Sequence, residues 1–265
     1  MTRLIRGEFR RIFATRLPAW SAALAVATGA LFTGLIGLVG PENATPPLPG
    51  LDTPEGIAIV LGINGLLLFI PALIGTIAIT GEYRHRTVGT TFLVAPRRGS
   101  VLAAKLLVFA VVGLGYGALM AGSAGLALVG AAAAHGVSLG ATAGEIGLLL
   151  VRLAIAAAVY VLLGVAIGAL ARQPLVAVGI VLGYFYFLEP MLMILPGVNL
   201  AYPYLPGGAT AALLDFTFLG DAIASELPIL APQNLSALAG AGILVTYAAV
   251  AAAAAIAVPL RRDLR

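Results

Sequence analysis

The chain has 265 residues, 61% hydrophobic and 10% charged, with no cysteine and two histidines. A soluble domain carries about 25% charged residues, so this chain lacks the polar surface needed to face water. Disulfides and thiolate metal sites are excluded, and a His-based metal site is disfavoured. The formal charge of +4 does not point to nucleic acid, because no motif interleaves the arginines with exposed aromatics.

Long uncharged runs that do not alternate apolar and polar residues predict an all-α integral membrane protein rather than a barrel. Residues 1–18 open it. Ile5, Phe9, Ile12 and Phe13 share one helical face, with Arg3, Arg6 and Arg10 beside them, which predicts an amphipathic helix lying in the interface. The competing reading is a charged flank or signal n-region, but the following apolar run is too long for a signal peptide.

Residues 19–39 form the first predicted span. The loop after it is rich in proline and carries Glu42 and Asp52 but no basic residue. Thr53 is a predicted cap for a second span over 55–80, with Pro54 at its first position and Glu55 in its first turn. Pro71 is expected to kink that helix, and Asn64 places an amide in the apolar zone. Between this span and the next lies the one internal segment dense in charge, residues 81–98 with Glu82, Arg84, Arg86, Arg97 and Arg98.

The third apolar run, 101–134, is too long for a bilayer core of about 30 Å and should tilt, kink or project. Gly113, Gly117, Ala121 and Gly125 recur every fourth residue along it, a close-packing face open to a neighbouring helix or a second subunit. Thr142 and Glu145 have the form of a capping box at the start of a fourth span, 142–171. Arg172-Gln-Pro174 is a tight turn into a fifth, 175–195. Residues 196–233 are apolar but broken by Pro203, Pro206, Gly207, Gly208 and Pro228, and carry Asp215, Asp221 and Glu226 without a basic residue. They predict short re-entrant or surface-lying helices on the outer face. A sixth span over 234–258 ends in a basic tail.

Fourteen of the fifteen basic residues fall at one side of this arrangement, so the positive-inside rule places both termini and the 81–98 segment in the cytoplasm. The fifteenth, Arg152, lies inside the fourth span, where an unpaired arginine costs about 2.5–3.5 kcal/mol or more. Glu189 is the carboxylate of the fifth span, and the two are predicted to pair, either as a brace between helices or as part of a gate. Beside Glu189, the run Tyr184-Phe-Tyr-Phe187 with Met191 and Met193 reads as a membrane anchor or as the wall of an apolar path.

No phosphate-binding loop occurs, and no catalytic pair of carboxylates or nucleophile with its base is evident. With those absences in view, the chain resembles the membrane subunit of an ATP-binding-cassette exporter of the type-2 permease family. The resemblance rests on the Arg-rich N-terminal helix, on Gly81-Glu-Tyr-Arg84 … Thr87 … Thr90 … Ala95-Pro-Arg-Arg98 … Ala104-Lys105, and on Tyr204-Leu-Pro-Gly-Gly-Ala209 before span six.

It implies a coupling helix over 82–95, with Glu82, Tyr83, Arg84, Arg86 and Thr87 contacting a separate ATPase subunit. ATP and magnesium would be held by that partner, and no cofactor or metal by this chain, which would not itself be an enzyme. The resemblance further implies a second permease subunit, identical or not, and a substrate path nominated as Asn64, Phe69, Tyr184 and Phe187. An external gate would be formed by 196–233, and the complex would reside in the inner, plasma membrane. An apolar or amphipathic drug, antibiotic or lipid is the expected cargo. The competing expectations are a secondary transporter or channel driven by an ion gradient, and an intramembrane enzyme acting on lipids.

Overall fold

The computed structural model describes residues 2–45, 47–84, 98–226 and 235–261. Its elements are helical, with no strand among the described residues. They are α1 (Thr2–Phe13), α2 (Leu17–Val39), α3 (Pro54–Gly62), α4 (Phe69–Arg84), α5 (Arg98–His135), α6 (Ala143–Ala171), α7 (Pro174–Leu182), α8 (Glu189–Ile194), α9 (Pro206–Leu214), α10 (Phe218–Glu226) and α11 (Ala237–Arg261). Short 3-10 turns and one π-helical turn join several of them.

Six helical stretches among the described residues are long and apolar enough to cross a membrane: Leu17–Val39, Pro54–Gly81, Ala103–His135, Ala143–Ala171, Pro174–Ile194 and Ala237–Ala255. Large apolar side chains stand exposed on them, among them Leu126 at 77%, Leu175 at 86% and Leu238 at 84%. Water would penalise such a surface and lipid would not. The chain is a multi-pass membrane protein.

Local chemistry sets the helix ends. Thr53 accepts a hydrogen bond from the Gly56 amide, with Pro54 at the first helical position. Thr142 and Glu145 close a reciprocal capping box at the start of α6, the Glu145 carboxylate accepting from the Thr142 amide at 2.8 Å. The second crossing is broken, but a turn before Pro71. Residues Ile63–Leu67 tighten into a 3-10 turn between α3 and α4, which leaves Pro71 in the first turn of α4, where its missing N–H is not needed.

Helix α6 is the centre of the bundle, and glycines let its neighbours approach. Gly113 and Gly117 of α5 rest against the backbone at Ala158 and Ala154, and Gly125 meets Leu150. The four-residue stripe on α5 is therefore a seam within this chain. On another side, Gly164 and Gly168 meet α4 at Ala72 and Thr76, and the Thr76 hydroxyl donates to the Gly164 carbonyl at 3.0 Å.

The length of α5 is used rather than absorbed by a kink. Its 38 residues span about 57 Å at about 1.5 Å each, and its first turns lie beside α1. There Lys105 donates to Glu8 at 2.9 Å, both side chains being more than nine-tenths buried. Arg11 adds a longer contact to Glu8 at 3.8 Å. In sequence Lys105 reads as a positive-inside charge and as the end of the Ala104-Lys105 pair in the resemblance, and the structure makes it the buried partner of Glu8.

The ends of the bundle differ in charge. Arg16, Arg84, Arg172 and Arg261 lie at the ends of helices on one side, where Tyr83 packs its ring 5.9 Å from the Arg172 guanidinium. Glu42, Asp52, Glu55, Glu145 and Asp215 lie at or beyond helix ends on the other side. There the Gly140 amide donates to Leu51 and the His135 ring nitrogen lies 3.1 Å from the Gly37 carbonyl oxygen.

Two outcomes follow for thermal unfolding of the purified chain in detergent. Lys105→Met should cost about 3 kcal/mol by leaving the buried Glu8 carboxylate with only the longer Arg11 contact of its two described ion-pair partners, and Glu8→Leu with Lys105→Met should recover most of that loss. Gly164→Ala should lose about 1–3 kcal/mol by overpacking. Gly147→Ala, on the same helix with nothing in reach, should gain about 0.5–1 kcal/mol. Equal melting of the two alanine variants would show that the seam is not close-packed.

A cavity roofed by the helix that Glu189 caps

The fifth crossing loosens where Pro190 enters it. Proline has no N–H to give the carbonyl a turn earlier, and its ring crowds that carbonyl. Residues Gly183–Leu188 take a π-helical turn just ahead of it, a rare widening of the helix that shifts its hydrogen bonds by one residue. The wider turn changes which side chains share a face. Phe185, Glu189 and Met193 point to one cavity, whereas Tyr186 and Phe187 are exposed.

Glu189 is 3% exposed, and its partner is a helix terminus. The segment after α8 makes a 3-10 turn, Asn199–Tyr204, then Leu205 extends at ψ 160° and α9 begins at Pro206. Leu205 has no side chain with which to cap that helix, and Pro206 has no N–H to offer. The first free amide, Gly207, donates to Glu189 Oε1 at 2.5 Å, with the Gly208 amide also directed at the carboxylate. The buried carboxyl group thereby meets the unpaired N–H groups and positive end of a helix. Both glycines are required by closeness. A Cβ on Gly207 would stand 2.7 Å from Glu189 Oε1, and one on Gly208 would collide with the Tyr202 carbonyl.

Other contacts fix α9 in place. The Thr210 hydroxyl oxygen lies 3.2 Å from the Tyr160 hydroxyl of α6 and 2.7 Å from the Pro206 carbonyl oxygen. Gly240 of α11 rests on the α9 backbone at Ala209, and the Tyr247 hydroxyl donates to the Tyr204 carbonyl at 3.1 Å. At its far end Asp215 is left-handed at φ 57°, and the Phe216 amide donates back to Ala211. Phe216 then packs onto Gly62.

Beneath this roof is a cavity of about 300 Å³ between the second, fourth and fifth crossings. Its walls include Phe69 and Gly65 from the second, Tyr160 from the fourth, Phe185 and Glu189 from the fifth, and Tyr202 from the roof. The rings interlock: Phe185 stands 5.1 Å from Tyr160, and Phe69 meets Tyr186 edge-on at 4.9 Å. Both irregular turns, 63–67 and 183–188, adjoin it.

The expected Arg152–Glu189 pair is not formed, and no ion pair of Arg152 occurs among the described residues. Depth explains this. Glu189 shares the cavity with Tyr160, which lies two turns, about 12 Å, further along α6 than Arg152. Of the four nominated path residues, Phe69 lines the cavity. Asn64 does not, being fully buried with its amide donating to Thr33 at 2.9 Å and to the Leu61 carbonyl at 3.0 Å. Tyr184 packs edge-on against Phe185 outside the lining, and Phe187 is 72% exposed. Phe185, Tyr160 and Tyr202 were missed. Pro190 was the available signal for Phe185, since a proline-relieving π turn shifts the inward face by one residue.

Glu82, Tyr83 and Arg84 form the last turn of α4, while Arg86 and Thr87 lie outside the described residues, as does most of the expected 82–95 helix. No group of three or more potential metal-ligating side chains occurs among the described residues. Comparison with family models and with curated proteins found no match to this chain.

The cap predicts a clear contrast. Glu189→Leu leaves the Gly207 amide without an acceptor and should cost about 1–3 kcal/mol, with faster hydrogen exchange across 207–210, whereas Glu189→Gln keeps an acceptor and should stay within about 1 kcal/mol. Equal stability and exchange in both variants would mean that the carboxylate does not hold the roof.

Proposed function

We propose that this chain is the membrane-spanning permease subunit of an ATP-binding-cassette exporter, moving an apolar or amphipathic molecule at the expense of ATP hydrolysed by a separate subunit. One observation carries the reading: the bundle is polarised, with arginine-bearing helix ends at one side and, toward the other, an aromatic cavity under a folded roof. The 81–98 segment joins the second and third crossings at the arginine-bearing side. On this reading that side is cytoplasmic, both termini are inside, and the membrane is the inner, plasma membrane.

The roles follow from position. Helix α1 lies along the cytoplasmic interface, tied to α5 by Glu8 and Lys105. A coupling helix within 82–95 seats in the ATPase, with Glu82, Tyr83 and Arg84 at its start and Arg86 and Thr87 beyond. ATP and its magnesium bind the partner. A second permease subunit completes the pathway against the exposed apolar surface. The cavity receives substrate, and the roof formed by α9 and its flanking turns is the external gate, latched by Glu189.

A second reading has its own support. The second and fifth crossings, the middle ones of each half of the bundle, are both interrupted beside the same cavity. Interrupted helices flanking a site near mid-membrane are also the pattern of gradient-driven transporters.

The experiment pairs purification with reconstitution. The chain should co-purify with a soluble ATPase, and charge reversal by Glu82→Arg with Arg84→Glu should abolish coupled ATP hydrolysis while the permease still folds. Full coupled activity in that variant would overturn the coupling assignment. Uptake into vesicles of the chain alone, driven by a proton or sodium gradient without ATP, would establish the second reading instead.

A further inference from the structure

Charge and ring chemistry within the cavity narrow what it can hold. Its described walls contain two carboxylates and no lysine, arginine or histidine. Glu189 is buried inside, and Asp215 sits exposed at the rim, its backbone held left-handed at the end of α9. The remaining lining is apolar or aromatic. Phe69, Tyr160, Phe185 and Tyr202 present rings, and Met193 is a soft, deformable neighbour. The nearest intramembrane cation in sequence, Arg152, is on α6 but outside the lining.

Such a set favours one charge type. Ring faces attract cations through their quadrupoles, more strongly when water is excluded. When ionised, a carboxylate whose Oε1 is held by an amide keeps a net negative charge, because a helix end offsets only about half an elementary charge. An anionic guest would meet Glu189 without any compensating donor of positive charge. A neutral guest would gain from burial alone.

We infer that the cavity is a binding site for hydrophobic organic cations, with Glu189 as the inner counter-charge, Asp215 as the rim counter-charge, and the rings of Tyr160 and Phe185 as the contact surface. This rests on reading the cavity as the substrate chamber and names the class of substrate it takes. The rings take up the hydrophobic mass, and the positive centre comes to rest beside the Glu189 carboxylate on its ring-lined side, away from the positive end of α9. Because the roof is fastened by that same carboxylate, a bound cation competes with the Gly207 amide for it and weakens the fastening. Occupancy and opening of the roof are linked through one side chain.

The test uses the purified chain in a neutral detergent and two ions of matched shape and opposite charge, tetraphenylphosphonium and tetraphenylborate, by equilibrium dialysis against protein-free detergent. Tetraphenylphosphonium should bind saturably and tetraphenylborate should not. Glu189→Gln, which keeps the hydrogen bond to Gly207, should weaken tetraphenylphosphonium by at least about tenfold, about 1.4 kcal/mol. Asp215→Asn, at the rim, should weaken it about two- to threefold, the smaller effect expected of a solvent-screened charge.

Hydrogen exchange at Gly207 should quicken when the cation is added. Equal binding of the two ions, or unchanged tetraphenylphosphonium binding in Glu189→Gln, would overturn the inference. Neither outcome depends on an ATPase, so loss of the coupling assignment would leave this result standing, and failure here would leave coupling untouched.

Discussion

A carboxylate placed among apolar helices must find a partner or remain neutral, and in this chain the partner is the start of another helix. Glu189 is fastened to the Gly207 amide at an N-terminus whose own sequence provides no cap. The arrangement meets two needs together. It gives a partner to a carboxyl group that lipid and hydrocarbon side chains cannot solvate, and it satisfies amides that would otherwise be orphaned at buried depth. It also explains the composition of Leu-Pro-Gly-Gly at 205–208. Proline starts the helix without needing an acceptor, and glycines leave room for the carboxylate to reach the amide plane.

The rest of the bundle makes that fastening possible by being rigid. Helices in lipid gain little from hydrophobic association, so close packing through small residues has to hold them together. Helix α6 carries such contacts on two sides, to α5 through Gly113 and Gly117 and to α4 through Gly164 and Gly168. Tyr160 therefore projects from a well-fixed helix, and the roof is referenced to it through Thr210. Within the described crossing helices, the irregular turns at 63–67 and 183–188 border the cavity. These are the places where a turn can rewind without opening the glycine seams.

What could be read from sequence was local. The apolar runs mark the six crossing helices, and the Thr53 and Thr142 caps depend on residues three apart, so short-range pattern is enough to find them. What could not be read was register and distance. The inward face of the fifth crossing turns on a π-helical residue, which moved the lining from Tyr184 and Phe187 to Phe185 and Glu189. The Glu8–Lys105 contact joins positions far apart in sequence, and Lys105, the chain's one lysine, stands at a membrane boundary where positive charge is expected in any case. Arg152 and Glu189 were matched because they had opposite charge, with no account of a helix end as a rival for the carboxylate.

Helix α4 gives the two ends of the molecule a mechanical connection. It is a single rod of 16 residues, about 24 Å long, with Glu82–Arg84 at one end and Phe69 in the cavity wall at the other. Just beyond Phe69 the chain loosens into the 63–67 turn, so a displacement at the arginine-bearing end has a hinge to act about. Along its length α4 is bound to α6 by small-residue contacts and by Thr76. Under the exporter reading, a push delivered at 82–84 would therefore reach Phe69 first. Phe69 packs on Tyr186, inside the π turn that immediately precedes Glu189. On the same reading the path would run in reverse, a guest that displaced Phe69 or drew on Glu189 being felt at the end of α4. One rod, one hinge and one carboxylate would then be enough to let each side of the membrane sense the other.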